Sequence, residues 1–136
     1  MNRTRAVLIS AAIAVLCAGV AWHFARDAWK SIQISFADEQ TEIFSEMVAK
    51  ATDALNRQPP DVKAAVGFLE YTHRYYPSGT KQTIGSTLDR IVERSRSLAE
   101  SRITEMLRDA TGVDHGTDAE DWIRELRNHE ETDEGG

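Results

Sequence analysis

The sequence predicts an all-α protein: a single transmembrane helix at the N-terminus running into a small antiparallel helical bundle of about three further helices, then a disordered acidic tail. Three observations carry this. Residues 6–25, AVLISAAIAVLCAGVAWHFA, hold no Asp, Glu, Lys or Arg. Beyond them, apolar residues recur at steps of three and four, the helical period. Turn-forming Pro and Gly residues punctuate the rest at Gln58–Asp61, Tyr76–Gly79 and Gly112–Gly116.

Charge is divided unevenly. Residues 1–30 carry a net +3, and the remainder, with 12 basic and 21 acidic side chains, a net −9. A net-acidic body argues against nucleic acid as a partner, because phosphate contacts demand a basic face. It argues equally against a body that lies flat on anionic lipid. Cys17 is the sole cysteine, so the body folds on packing alone, without an intrachain disulfide.

After a tail of residues 1–5, the stretch 6–25 is long enough to span about 30 Å as a helix, the thickness of a bilayer core. A positive start, an apolar run and the small residues Gly19 and Ala21 also fit a signal peptide cleaved near Ala21. The run exceeds the usual ~7–15 residues of a signal core. It closes on Trp22, with Trp29 soon after, which suits the aromatic belt of a retained helix. Trp22 and Trp29 are therefore expected as membrane-interface anchors of a single-pass signal anchor. Arg3 and Arg5 against Arg26 and Lys30 place the C-terminal part outside, periplasmic or extracellular if the source is bacterial.

Trp22, Trp29, Phe36 and Ile43 follow at seven-residue steps, which return to nearly one helix face. With Ile32, Met47, Ala51 and Leu55 (or Ala54) they predict a stalk or first body helix over 26–57, either continuous with the span or broken near Ser31–Ser35. Gln40 is the polar exception on that stripe. Residues 58–128 then form a helical hairpin and a short terminal helix. The first arm is expected from about Pro60 to Tyr76, burying Val62, Ala65, Val66 and Leu69, with mid-helix Gly67 signalling close helix packing. The second is expected from Thr80 or Gln82 to Thr111 on the string Ile84, Leu88, Ile91, Ser95, Leu98, Arg102 and Met106. Val92, Ala99, Ile103, Leu107 and Ala110 thicken that face, and Gly112 is its left-handed cap. Thr117 and Glu120 fit a capping box for a last helix, Asp118 to about Asn128, burying Trp122, Ile123 and Leu126. Residues 129–136 are expected to be a disordered acidic tail.

Ala65, Leu69, Thr72 and Pro77 have a spacing that resembles the second helix of a tetratricopeptide repeat, although Ala49, Thr52-Asp53 and Asn56 stand where the first-helix signature belongs. Residues 111–118 followed by Trp122 resemble the terminal segment of some bacterial HEAT-type helical-repeat proteins. Both resemblances imply a small helical interaction module.

Chemistry-bearing patterns fail on spacing. A calcium loop counted from Asp114 needs a ligand where Gly116 stands and a glycine where Ala119 stands. Gly79-Thr80-Lys81 lacks the order of a phosphate loop. His73, His115 and His129 have no metal-ligand spacing. No catalytic, cofactor-binding or metal residues are assigned, and no enzyme activity is expected. The one aromatic cluster of the body, Phe68, Tyr71, Tyr75 and Tyr76, is the expected interaction surface. The sequence thus predicts a membrane-anchored interaction or assembly module, its partners the lipid bilayer and a protein or a second copy of itself. The alternatives are an exported soluble protein with a cleaved signal, or an accessory subunit of a membrane-associated enzyme.

Overall fold

The computed structural model describes residues 3–133, with side chains through Asn128. Among these residues there are four helices and no strand: α1 (Arg3–Leu55), α2 (Val62–Arg74), α3 (Thr87–Thr111) and α4 (Ala119–Asp133). The chain divides into two compact units, Met1–Ser35 and Phe36–Gly136.

In the first unit the large apolar side chains are left open to the surroundings. Val7, Leu8, Ile13, Leu16 and Phe24 are all exposed, as are Trp22 and Trp29. Residues 31–35, where the sequence allowed a break, are helical.

In the second unit, α2 and α3 pack against each other and both meet α4. One apolar cluster joins Ala51 and Ala54 of α1, Ala65 and Leu69 of α2, Ile103 and Leu107 of α3 and Trp122 and Ile123 of α4. Each large side chain buried there contributes about 1.5–3 kcal/mol. Trp122 also donates its indole N–H to the Gly116 carbonyl at 2.9 Å, which satisfies its one polar atom. A second, smaller cluster joins Ala37 and Phe44 of α1 to Val92 and Ala99 of α3.

Several elements depart from the sequence expectation. On α1 the buried stripe is Ala37, Gln40, Phe44, Met47, Ala51 and Ala54, so Phe44 takes the core and Phe36 and Ile43 stand half-buried at its edge. α2 begins at Val62 rather than Pro60, because the Asp61 carboxylate accepts the Ala64 N–H at 3.0 Å and caps the helix there. α3 begins at Thr87, its first turn closed by the Ser86 hydroxyl accepting the Asp89 N–H at 3.1 Å. Its C-terminus is as expected, with Gly112 left-handed at φ 70°. For α4 the cap is Asp118, which accepts the Glu120 N–H at 3.0 Å, and not Thr117. α4 then runs on to Asp133, so 129–133 are helix rather than disordered tail; residues 134–136 lie outside the described residues.

The largest difference lies on α3. Of the two apolar strings the sequence offers, the buried one is Val92, Ala99, Ile103 and Leu107. Ile91 and Leu98 of the other string are 51% and 63% exposed, and Ile84 precedes the helix in an exposed turn. Asp89 and Arg96 decide the choice, because both are buried on the Val92 side with polar partners waiting for them.

Candidate binding surface

The tyrosine cluster forms where α2 ends. Successive helical turns bring Tyr71 and Tyr75 to one side, and their rings stack at 5.2 Å with 28° between planes. Tyr75 also meets Tyr76 edge-on at 4.7 Å and Phe44 edge-on at 6.3 Å. Burial first, then the negative charge of Glu39, raises the Tyr75 phenol above its ordinary pKa of 10.0, so it remains an O–H donor at neutral pH.

Tyr76 has φ 40°, the left-handed region that side chains rarely enter. Its backbone is held there from several sides. Its carbonyl accepts from Arg96 Nη2 at 2.8 Å and from Gln40 Nε2 at 3.4 Å. The Lys81 ammonium sits over its ring at 4.3 Å and over the Phe36 ring at 4.4 Å. Backbone strain that the surroundings over-determine in this way gathers at functional surfaces.

Around these rings lies an open concavity of about 660 Å³ whose lining includes Gly67, Glu70, Tyr71, Arg74, Tyr76 and Pro77. Glu70 pairs with Arg74 at 3.0 Å and with Arg127 of α4, so one rim is ionic and the other aromatic. Of the four residues expected here, Tyr71, Tyr75 and Tyr76 come together. Phe68 instead packs half-buried against the Trp122 cluster. Gly67 is not the close-packing glycine the sequence suggested: it is exposed, and a Cβ there would meet nothing within 4 Å.

Beneath the surface is a polar frame that sequence reasoning missed. Arg96, 5% exposed, donates from Nη1 to the carbonyls of Thr72 (2.7 Å) and His73 (3.1 Å). These are last-turn carbonyls of α2, so Arg96 caps that helix from a neighbouring one. Glu93 neutralises it at 3.2 Å, and the Phe44 ring lies 5.0 Å beneath the guanidinium. Asp89, also buried, accepts from the Ser78 hydroxyl (2.7 Å) and from the N–H groups of Gly85 (2.9 Å) and Gly79 (3.0 Å). The Ser78 hydrogen bond, with those backbone donors, holds its carboxyl below the ordinary range despite burial. Gln82 donates to Gln40 at 2.7 Å, which gives the polar exception on α1 its partner. One signal was present in the sequence: Ser86-Thr87-Leu88-Asp89 is an S-x-x-D start motif.

Of the acids and histidines weighed for metal or catalysis, those with described side chains have structural partners, and the His129 side chain lies outside the described residues. His73 Nδ1 lies 3.0 Å from Glu100, Asp114 accepts the Gly116 N–H at 2.8 Å, and His115 meets Trp122 edge-on. Among the described residues no group of three or more His, Cys, Asp or Glu side chains could hold a metal ion. Comparison with family models, curated proteins and solved structures finds no match to this chain. The class that fold and surface define is an all-α chain with one long apolar N-terminal helix and a tyrosine-lined concavity on its helical unit.

Proposed function

We propose that this chain is a single-pass, membrane-anchored protein whose helical unit is a non-enzymatic module for protein binding or assembly, with Tyr71, Tyr75 and Tyr76 as its contact surface. The observation that carries the reading is the apolar helix near the N-terminus. Its best window has a mean hydropathy of 2.1 and none of that window is buried. Apolar surface left in water costs about 25 cal/mol per Å², so a bilayer is the natural cover for such a helix. Trp22 and Trp29 then serve as interface anchors. Lys and Arg flanks favour the C-terminal part outside, in the periplasm or cell exterior of a bacterium.

The second reading, an exported soluble protein with its signal removed near Ala21, is favoured by Gly19 and Ala21 at small-residue positions. One preparation tests both. Membranes carrying the full chain are extracted with alkaline carbonate, the N-terminus is sequenced, and intact membranes are crosslinked. The expected result is a carbonate-resistant protein starting at Met1 or Asn2, with crosslinks weakened in a Tyr71→Ala/Tyr76→Ala variant. Release by carbonate or a start after Ala21 would sink the anchor. Crosslinks indifferent to both tyrosines would sink the surface.

A further inference from the structure

A shallow furrow of about 270 Å³ follows the seam of α1 and α3, lined by Phe44, Ser45 and Val48 on one side and Ser95, Leu98 and Arg102 on the other. The exposed stretches of the two helices that flank it carry opposite charge. From Arg90 to Arg102 the exposed side chains of α3 are Arg90, Ile91, Arg94, Ser97, Leu98, Ser101 and Arg102, without a carboxylate. Glu93 and Glu100 are drawn away to Arg96 and His73. Among the described residues Arg94 and Arg102 meet no carboxylate, and Arg90 reaches only the Thr87 hydroxyl at 3.4 Å. From Asp38 to Ala49 the exposed side chains of α1 include Asp38, Glu39, Glu42 and Glu46 and no cation. Lys50, just beyond, is taken by Glu46 at 2.8 Å.

We infer that this furrow is a homodimer face, occupied by the same furrow of a second copy. A two-fold axis sets the acidic α1 wall of each copy against the basic α3 wall of the other and covers Ile91 and Leu98 twice over. The spacing is compatible. Arg90 and Arg94 are one helical turn apart, as are Asp38 and Glu42, so both pairs repeat at about 6 Å. The acidic wall also decides against other occupants. Anionic lipid or a uniformly acidic partner would satisfy the arginines but be repelled by Asp38 and Glu42, exposed carboxylates of α1 that are left without a cation among the described residues. A second copy answers both walls at once. This rests on the assembly reading above, and a shared bilayer would raise the effective concentration of copies.

The test uses the full chain in detergent micelles, followed by sedimentation, with far-UV circular dichroism to confirm that each variant is folded. Two charge-reversed variants are compared, R94E/R102E and D38K/E42K. The expected result is a wild-type dimer that weakens as salt rises. Each variant alone should self-associate about tenfold or more weakly. An equimolar mixture of the two should recover a heterodimer, because one then has two acidic walls and the other two basic walls. A strictly monomeric wild type, or a dimer that neither reversal weakens, overturns the proposal; the latter places pairing in the apolar helix. A photocrosslinker at Ser95 that captures lipid or a different protein also overturns it. A monomer that still resists carbonate and crosslinks to another protein through Tyr71 sinks self-pairing alone. Loss of carbonate resistance would sink the anchor instead.

Discussion

The two ends of the helical unit are held by different physics. Around Trp122 the four helices meet through Ala51, Leu69, Ile103, Leu107 and Ile123, and the packing is apolar. Around Tyr76 the cluster of Ala37, Phe44, Val92 and Ala99 is small, and buried Gln40, Gln82, Asp89 and Arg96 complete it. Apolar packing tolerates adjustment, because its energy follows area. A buried polar frame is all-or-none at each atom, since an unmet donor or acceptor costs about 1–3 kcal/mol. The concavity lies at the polar end, where the backbone is specified atom by atom.

The contrast can be broken at several points, read by chemical denaturation of the full chain in mild detergent. Trp122→Ala should cost the most, about 3–5 kcal/mol, because it empties the centre of the apolar end; the Gly116 carbonyl keeps its other donor, Arg108 Nη2 at 3.1 Å. A loss under 1 kcal/mol would mean that α4 contributes little to the unit. Arg96→Met keeps much of the volume over Phe44 but abandons the carbonyls of Thr72, His73 and Tyr76, and about 2–4 kcal/mol should go. It should also disturb the tyrosines, seen as a change in near-ultraviolet dichroism that Trp122→Ala would not reproduce at residues 71–76.

Asp89→Asn should cost about 1–3 kcal/mol at neutral pH, since an amide presents one acceptor oxygen where the carboxylate has two. The folded pKa of Asp89 is lowered, so its contribution is complete above the unfolded carboxylate value of about 3.9 and fades as pH falls through the folded value. The gap between wild type and variant should therefore be constant from pH 7 to 5 and shrink below pH ~4. A gap that widened in acid would contradict the assignment. Smallest, and opposite in sign, is Gly67→Ala: α2 should gain about 0.5–1 kcal/mol because a Cβ there meets open space. If crosslinking through Tyr71 falls in the same variant, the concavity floor is part of the contact.

The same contrast explains what was legible in the sequence. Periodicity and breakers located all four helices, and Gly112 was read correctly as a cap. Trp122, Ile123 and Leu69 were assigned to the core because apolar residues at helical spacing leave few choices. The polar end resisted for a physical reason. Ile91 and Leu98 have the same spacing as Val92 and Ala99, one residue out of step, so apolar pattern alone cannot choose between them. The choice was made by Asp89 and Arg96, charged residues whose burial depends on partners distant in sequence. Of the four aromatics expected to cluster, Tyr71, Tyr75 and Tyr76 do meet. The left-handed backbone at Tyr76 was not legible, because nothing local at a tyrosine announces it.

Arg96 has a consequence for how this surface can change over time. It grips His73 and Tyr76 only through their carbonyl oxygens, which every amino acid possesses. Substitution at those positions leaves the grip intact, whereas substitution at 96 removes it. The rim of the concavity can therefore drift in side-chain identity, and so in what it recognises, over a backbone whose course Arg96 helps to fix.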